Sequence, residues 1–469
     1  MDEQQSSSKR TWLIAGGVAL LLLIGIGIFL FFPRGNGATG LKSITSLFGN
    51  LGSETQRPTG NAIQPGTTLP DGSIAGDIQT EEPLFRQLAN IPIAGAISLT
   101  HKGNVVVRYV AKENGFTYEV DPITGKTTQL TNTTIPRIYE AYWGNSGNSV
   151  LLRYLTREKL QQDTIKTYLA YLALPKDAEG TSTPPLGTLV GDFLPDNISA
   201  VSISPDGKKL FYLLPVEDGV SGTIIDIATK SAKEVLRNSF AEWLPQLLDN
   251  GKIILTTKSS AKIAGFSYLY NPADRSFSRI LRNINGLTTL GNSTGARVLY
   301  NENTVSKTTL NIYDSKGYSG DEGVVMHTIS IQLATLPEKC VWAKNYIRLF
   351  CGAFTSTPNA DVPDAWYQGT LSFADTFWTI NTDSSEISFL SDPTKEVSAN
   401  QSFDVSQPFI GSDELHLFFT NKNDSTLWSM RILKEKYMTV DEAAAAEVST
   451  PQLTPDELKD AAGSTKTQP

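Results

Sequence analysis

One phrase constrains this chain more than any other: an apolar strand end, a tight turn, then a strand apolar on both sides. It is ISPDGKKLFYLL at residues 203–214. Related units are HKGNVVVRYV (101–110), NSGNSVLLRYL (145–155), DNGKIILTT (249–257), STGARVLYN (293–301), AKNYIRLFC (343–351) and GSDELHLFF (411–419). The first five in chain order keep a glycine at one place, at Gly103, Gly147, Gly207, Gly251 and Gly295, and three of the four intervals are 44 residues. A turn that needs positive φ favours glycine. A strand apolar on both sides needs cover on both faces, which a sandwich strand facing solvent lacks. Periods of this length point to a propeller, whose inner strands lie between neighbouring blades.

Each unit continues into a third strand and a hairpin turn, as in FTYEVDPITGKTTQLT (116–131) and GTIIDIATKSAKEVLR (222–237), followed by a polar, alternating strand suited to an exposed edge. That makes four strands per blade. The last unit supplies only three before the composition changes at 436, while the segment PLFRQLANIPIAGAISL (83–99) opens with the same outer-then-inner phrase. Residues 84–88 are therefore expected to complete the last blade and close the ring. The expected fold is an all-β, seven-bladed β-propeller over residues 83–435, preceded by a single N-terminal transmembrane helix. An open or eight-bladed ring and a pair of stacked sandwiches are the competing arrangements.

Residues 13–32, LIAGGVALLLLIGIGIFLFF, carry no charge over twenty positions, enough for a helix to span a hydrocarbon core of ~30 Å. Lys9 and Arg10 precede the span and only Arg34 closely follows it, so residues 1–12 are expected in the cytoplasm and the rest outside. A cleaved signal peptide is the rival reading; its apolar core would be shorter, and no clear small-residue cleavage site follows. Residues 33–82 are rich in Gly, Thr, Ser, Pro and Asn and read as a flexible linker with a reach of ~40 Å. Residues 436–469 read as an acidic, mostly disordered tail. The expected location is the cell membrane, single-pass, with the propeller extracytoplasmic.

The S-P-D-G-K-K-L-F-Y run from Ser204 to Tyr212 resembles the signature of TolB-like, WD-repeat-like propellers of bacterial envelopes. Residues 145–147 and 249–251 match it in part; the fifth, sixth and seventh units depart from it. The resemblance implies a propeller and, by family habit, an extracytoplasmic binding role. It implies no catalytic residues.

A net charge of -8 without a long Lys/Arg cluster argues against nucleic acid as a partner. His101, His327 and His416 are too scattered for metal-ligand spacing, so no metal and no cofactor are expected. No G-x-S-x-G elbow occurs, and the sialidase-type box is not met by DSTLW (424–428), so no enzymatic activity is expected. Asp206, Asp218 and Asp361 read as turn formers. Cys340 and Cys351, the only cysteines, flank a hairpin and fall opposite one another. An oxidising exterior would allow a disulfide between them, and a pair of buried thiols is the other possibility.

In a propeller, the loops between second and third strands share a face with the blade-to-blade links. Two of the longest insertions are of this kind, at 156–164 and 355–370, and the second carries Trp366 and Tyr367. Long loops are often functional and aromatic residues anchor interfaces, so Trp366 and Tyr367 are the expected binding residues for an envelope or membrane protein partner. The expected function is a binding or assembly scaffold. The alternative is a propeller hydrolase or lyase acting on envelope glycans or peptides, which a pocket of convergent carboxylates with a basic partner would favour.

Overall fold

The computed structural model describes residues 82–157, 163–175, 185–303, 308–315, 319–320, 323–324, 327–356, 358–398 and 400–434. The apolar segment 13–32, most of the linker and the tail lie outside them. Among the described residues no helix is long and apolar enough to cross a membrane.

Among the described residues, seven four-stranded antiparallel sheets follow one another along the chain. Their strands, lettered a to d in spatial order, begin with Ile93–His101, Asn104–Ala111, Thr117–Val120 and Thr127–Gln129 in blade 1; blade 2 is Ile138–Gly144, Ser149–Arg157, Asp163–Ala173 and Thr188–Phe193, and blade 3 is Ala200–Ile203, Lys209–Val216, Gly219–Asp226 and Ala232–Asn238. Blade 4 is Trp243–Leu247, Ile253–Thr257, Ala264–Asn271 and Ser276–Asn285. Blade 5 is Thr289–Gly291, Arg297–Asn303, Thr308–Asp314 and His327–Ile331, with a two-stranded hairpin between its last two strands. Blade 6 is Cys340–Trp342, Arg348–Phe354, Asp375–Asn381 and Ile387–Ser391. Blade 7 draws three strands from Val405–Ile410, His416–Asn421 and Thr426–Arg431; its outer strand is Phe85–Ala89, with Phe85 opposite Met430 and Arg86 opposite Ser429. The chain's first described strand thus completes its last blade.

The two-sided apolar strands do what their composition demands. In blade 3, strand b is Lys209–Val216. Its Leu210 and Tyr212 enter the cluster shared with blade 2, and Phe211 and Leu213 the cluster shared with blade 4. In blade 4, Ile253 and Leu255 face one neighbour and Ile254 the other. Each of the seven blade junctions holds one such buried cluster, including that between blades 7 and 1, where Leu88 and Phe418 meet Ile93 and Val107. At roughly 1.5–3 kcal/mol per large side chain taken from water, these seams are the main favourable term in the fold.

The recurring turns form a second ring. Gly207 has φ +71°, a conformation that costs an L-residue ~1–2 kcal/mol. In units six and seven the same place is taken by Tyr346 (φ 57°) and Glu414 (φ 56°). The preceding side chain supports the turn: Asp206, Asn250, Asn345 and Asp413 each accept the backbone N–H two residues on. All seven junctions are tied on this face. Blade 2 donates Asn145 N–H to Gly207 O (2.7 Å), and Asp206 N–H reaches Asp249 Oδ1 (2.9 Å). Asp249 N–H reaches Ser293 O, and Arg297 Nη1 reaches Thr382 Oγ1 (2.7 Å). Lys344 N–H reaches Glu414, Ser412 N–H reaches Ser98, and Arg108 Nη1 reaches Gly147 O (3.0 Å). Near the axis, Gly95 of blade 1 passes so close to blade 2 that a Cβ would lie 2.0 Å from Ala141 O.

Cys340 and Cys351 pair across strands a and b of blade 6 and are joined as a disulfide. The second-unit insertion expected at 156–164 begins and ends in strand: Thr156 pairs with Thr164 and Arg157 with Asp163, so the hairpin extends further than its polar sequence suggests. Residues 158–162 lie outside the described set.

Candidate functional site

The a–b and c–d turns occupy one face and the b–c loops and blade links the other. On that second face the widest departure from the repeat is the b–c loop of blade 6, residues 355–374. It has its own small core, in which Val362, Trp366 and Phe373 pack on Leu336 and Phe354. A helical turn, Asp364–Tyr367, sits in its middle. The loop crosses toward three other blades. Asp361 Oδ2 pairs with Lys262 Nζ at 2.6 Å, Asp364 Oδ2 accepts Ala261 N–H at 2.7 Å, Val362 O accepts Asn303 Nδ2, and Trp366 O accepts Lys422 Nζ at 2.7 Å. Blades 4, 5 and 7 thereby hold an insertion that belongs to blade 6.

Beneath it lies a buried ionic hub. Lys339, immediately before strand a of blade 6, donates to Asp375 Oδ2 (2.6 Å), Asp404 Oδ1 (2.5 Å) and Val405 O (3.2 Å). Asp404 also accepts the Trp366 indole N–H (2.9 and 3.0 Å), Ser372 Oγ and Phe373 N–H. The Lys339 ammonium lies 5.2 Å from the Trp366 ring centre and 4.8 Å from that of Phe373. Two carboxylates thus share one ammonium. Burial pushes the Asp375 pKa up, partly opposed by Lys339, and Asp375 Oδ1 has no partner among the described residues. A lysine between carboxylates is the pattern an enzymatic site would show, yet the three side chains are 0%, 0% and 1% exposed. The hub is buried beneath the insertion and hydrogen-bonds to it through Trp366, Ser372 and Phe373.

Trp366 is correspondingly 4% exposed. The expectation that it offers a surface anchor is corrected: its polar setting in sequence concealed Asp404, Lys339 and Lys422, which draw it inward. Tyr367 remains at the surface, 45% exposed, with its hydroxyl turned to the Glu338 carboxyl. Where the two meet they are shielded from solvent, and that burial raises the pKa of both groups, with the Glu338 carboxyl adding to the rise at Tyr367. Thr288 Oγ1 lies 2.8 Å from Glu338 Oε2 and 2.7 Å from Asn301 Oδ1, and its single proton serves only one of them.

Besides a smaller one of about 270 Å³ between residues 260–262 and 361–368, two concavities adjoin the insertion or share its face. The larger, about 860 Å³, is polar and runs between residues 358–362 and the ends of strands in blades 4 and 5. The second, about 340 Å³, lies at the seam of blades 3 and 4 and is aromatic, with Phe240, Trp243, Phe266, Tyr268 and Phe277 among its lining residues. Phe240 and Phe277 are 42% and 40% exposed. Among the described residues no group of acidic, histidine or cysteine side chains could hold a metal ion. Asp206 and Asp361, read from sequence as turn formers, are engaged with Ser204 and Lys262.

No protein family and no curated protein matches the chain. Solved structures do. The chain is similar to TolB from Acinetobacter baumannii, at 14% identity over 58% of this chain and 58% of that one, with a TM-score of 0.36. It is similar to the oligogalacturonate lyase of Vibrio parahaemolyticus, at 11% identity, 75% of this chain, 94% of that chain and a TM-score of 0.46. A third is the Cps50 (Swd1) β-propeller domain of Myceliophteria thermophila, at 9% identity, 74% and 100% coverage and a TM-score of 0.44. TolB and a WD-type propeller, the two kinds that the Ser204–Tyr212 run resembles, are thus among the neighbours. The chain spans little more than half of the TolB chain, and the count of seven blades rests on the sheets described above.

Proposed function

We propose that this chain is a protein-binding propeller held at the membrane by residues 13–32, with the blade 6 insertion forming its working face. The observation that carries the reading is the bracing of that insertion by blades 4, 5 and 7, which makes an ordered platform out of a loop rich in Pro, Asn and Asp. A second support is orientation. Glu82 contacts the a–b turn of blade 7 through His416, so the chain enters the propeller on the turn face, and the platform looks the other way.

Crosslinking in intact cells tests this. Tyr367→Ala keeps the Asp404 hub and should lose the partner species that wild type captures. Lys262→Glu, which repels Asp361, should weaken capture further. Undiminished capture by variants with wild-type melting would overturn the assignment of this face. Recovery of the full-length protein in the alkaline-washed soluble fraction would overturn the tether.

A further inference from the structure

The polar cleft carries a narrower inference, which rests on the reading of the insertion face as a binding face. Four asparagines line it: Asn359 from the insertion, Asn283 and Asn285 from strand d of blade 4, and Asn303 from the end of strand b of blade 5. Asn303 is 7% exposed. Its Nδ2 donates to Val362 O at 2.5 Å, which fixes the orientation of the amide, and its Oδ1 has no partner among the described residues. A buried carbonyl left unpaired is rare and calls for an explanation. A donor arriving with a ligand supplies one.

Asn283 is placed by a backbone irregularity. Gly265 pairs with Ile284 and Phe266 with Arg282, so Asn283 is the extra residue of a β-bulge, at φ +58°. Bulges re-aim a side chain. Here the bulge and the regular position two residues on bring two amides to one cleft. Each amide offers a carbonyl acceptor and two N–H donors, the complement of a peptide group. The strand that carries them is the outer strand of its blade, with no further strand hydrogen-bonded to its far edge among the described residues. Such an edge accepts an extended chain. At the rim, Lys262 and Asp361 offset one another, leaving the exposed Glu302 as the cleft's net charge.

We infer that the cleft takes an extended, uncharged or basic stretch of polypeptide from the partner, with its backbone amides read by Asn283, Asn285 and Asn303. The size, about 860 Å³, is within the range of sites that enclose a ligand of a few residues.

Selection of a displayed library of random linear peptides on the purified full chain tests the assignment, with a panel of neutral oligosaccharides as a parallel arm. Enriched peptides should be poor in Asp and Glu, and they should bind Asn285→Ala and Asn303→Ala about tenfold or more weakly than wild type. Asn283→Gly keeps the bulge conformation and the Asn303–Val362 bond, so a loss there reports the amide and not the fold. Failure to enrich any peptide, enrichment of peptides that ignore all three substitutions, or binding of oligosaccharides alone would overturn the inference. Loss of crosslinked capture in Tyr367→Ala alongside any of those results leaves the insertion face standing and removes only the cleft's ligand class.

Discussion

His416 Nε2 lies 2.8 Å from Glu82 Oε1, and its other ring nitrogen lies 3.1 Å from Asp413 Oδ2. One buried imidazole therefore joins the a–b turn of blade 7 to the residue three positions before the closing strand. Burial disfavours the charged ring, but the hydrogen bonds and charges of Asp413 and Glu82 outweigh it and hold the His416 pKa above 6.5. For Asp413, burial alone would raise the pKa; the hydrogen bond to His416 and that from Leu415 N–H bring it below 3.8.

The sign of the resulting pH dependence is fixed. A raised folded-state pKa at His416 contributes stability that is complete below its unfolded value, 6.5, and is lost as pH rises through the folded value. The lowered pKa of Asp413 contributes above 3.8 and is lost as pH falls through its folded value. The melting temperature of His416→Asn should trail wild type most between those limits and approach it on the alkaline side. A gap that stays constant across neutral pH would show that the ring is not charged in the folded protein.

Lys339→Met should be among the most damaging single substitutions. It leaves Asp375 and Asp404 buried with no cation, and breaking a buried pair in this way costs about 3–5 kcal/mol. Urea titration measures it. Lys339→Met combined with Asp375→Asn should recover part of the loss, whereas a single-variant cost below about 1 kcal/mol would mean that water or a proton already neutralises the hub.

Closing a loop of 11 residues, the Cys340–Cys351 disulfide should stabilise the chain by roughly 2.8 kcal/mol. Thiol labelling of the unfolded, unreduced protein should find no free cysteine. Two labelled residues would refute the bond, and labelling only after reduction would support it.

Removal of residues 83–90 should abolish folding or cause aggregation, because it exposes the edge of Thr426–Arg431 and strips Phe85, Leu88 and Ala89 from two blade seams. Deletion of residues 33–78 should leave the melting temperature unchanged. Equal stability of the two truncated proteins would argue against closure by this strand.

What the sequence disclosed follows from which interactions are local. Apolar runs such as Leu210 to Leu213 announce cover on both sides, and glycines at constant spacing announce the turns. Where the glycine is replaced, at Tyr346 and Glu414, the Asx turn from Asn345 and Asp413 keeps the backbone left-handed, so the sixth and seventh units remain recognisable. The hub was not legible. Lys339, Asp375 and Asp404 lie 36 and 29 residues apart, each at or just before the start of a different strand, and only the ring brings them together. The fate of Trp366 depended on them. Asn303 was hidden for a related reason, since its orphaned oxygen exists only because Val362 of a distant loop takes its other end.

Closure by Phe85–Ala89 also has a mechanical consequence. This strand runs antiparallel to Thr426–Arg431, and Glu82, three residues before it, is held by His416. A pull along the strand axis loads the hydrogen bonds between the two strands in shear, all at once, instead of peeling them one after another. The first residue to feel that load is the one clasped by His416. The outer strand of blade 7 is thus held against tension by its whole ladder and by a clasp at its start.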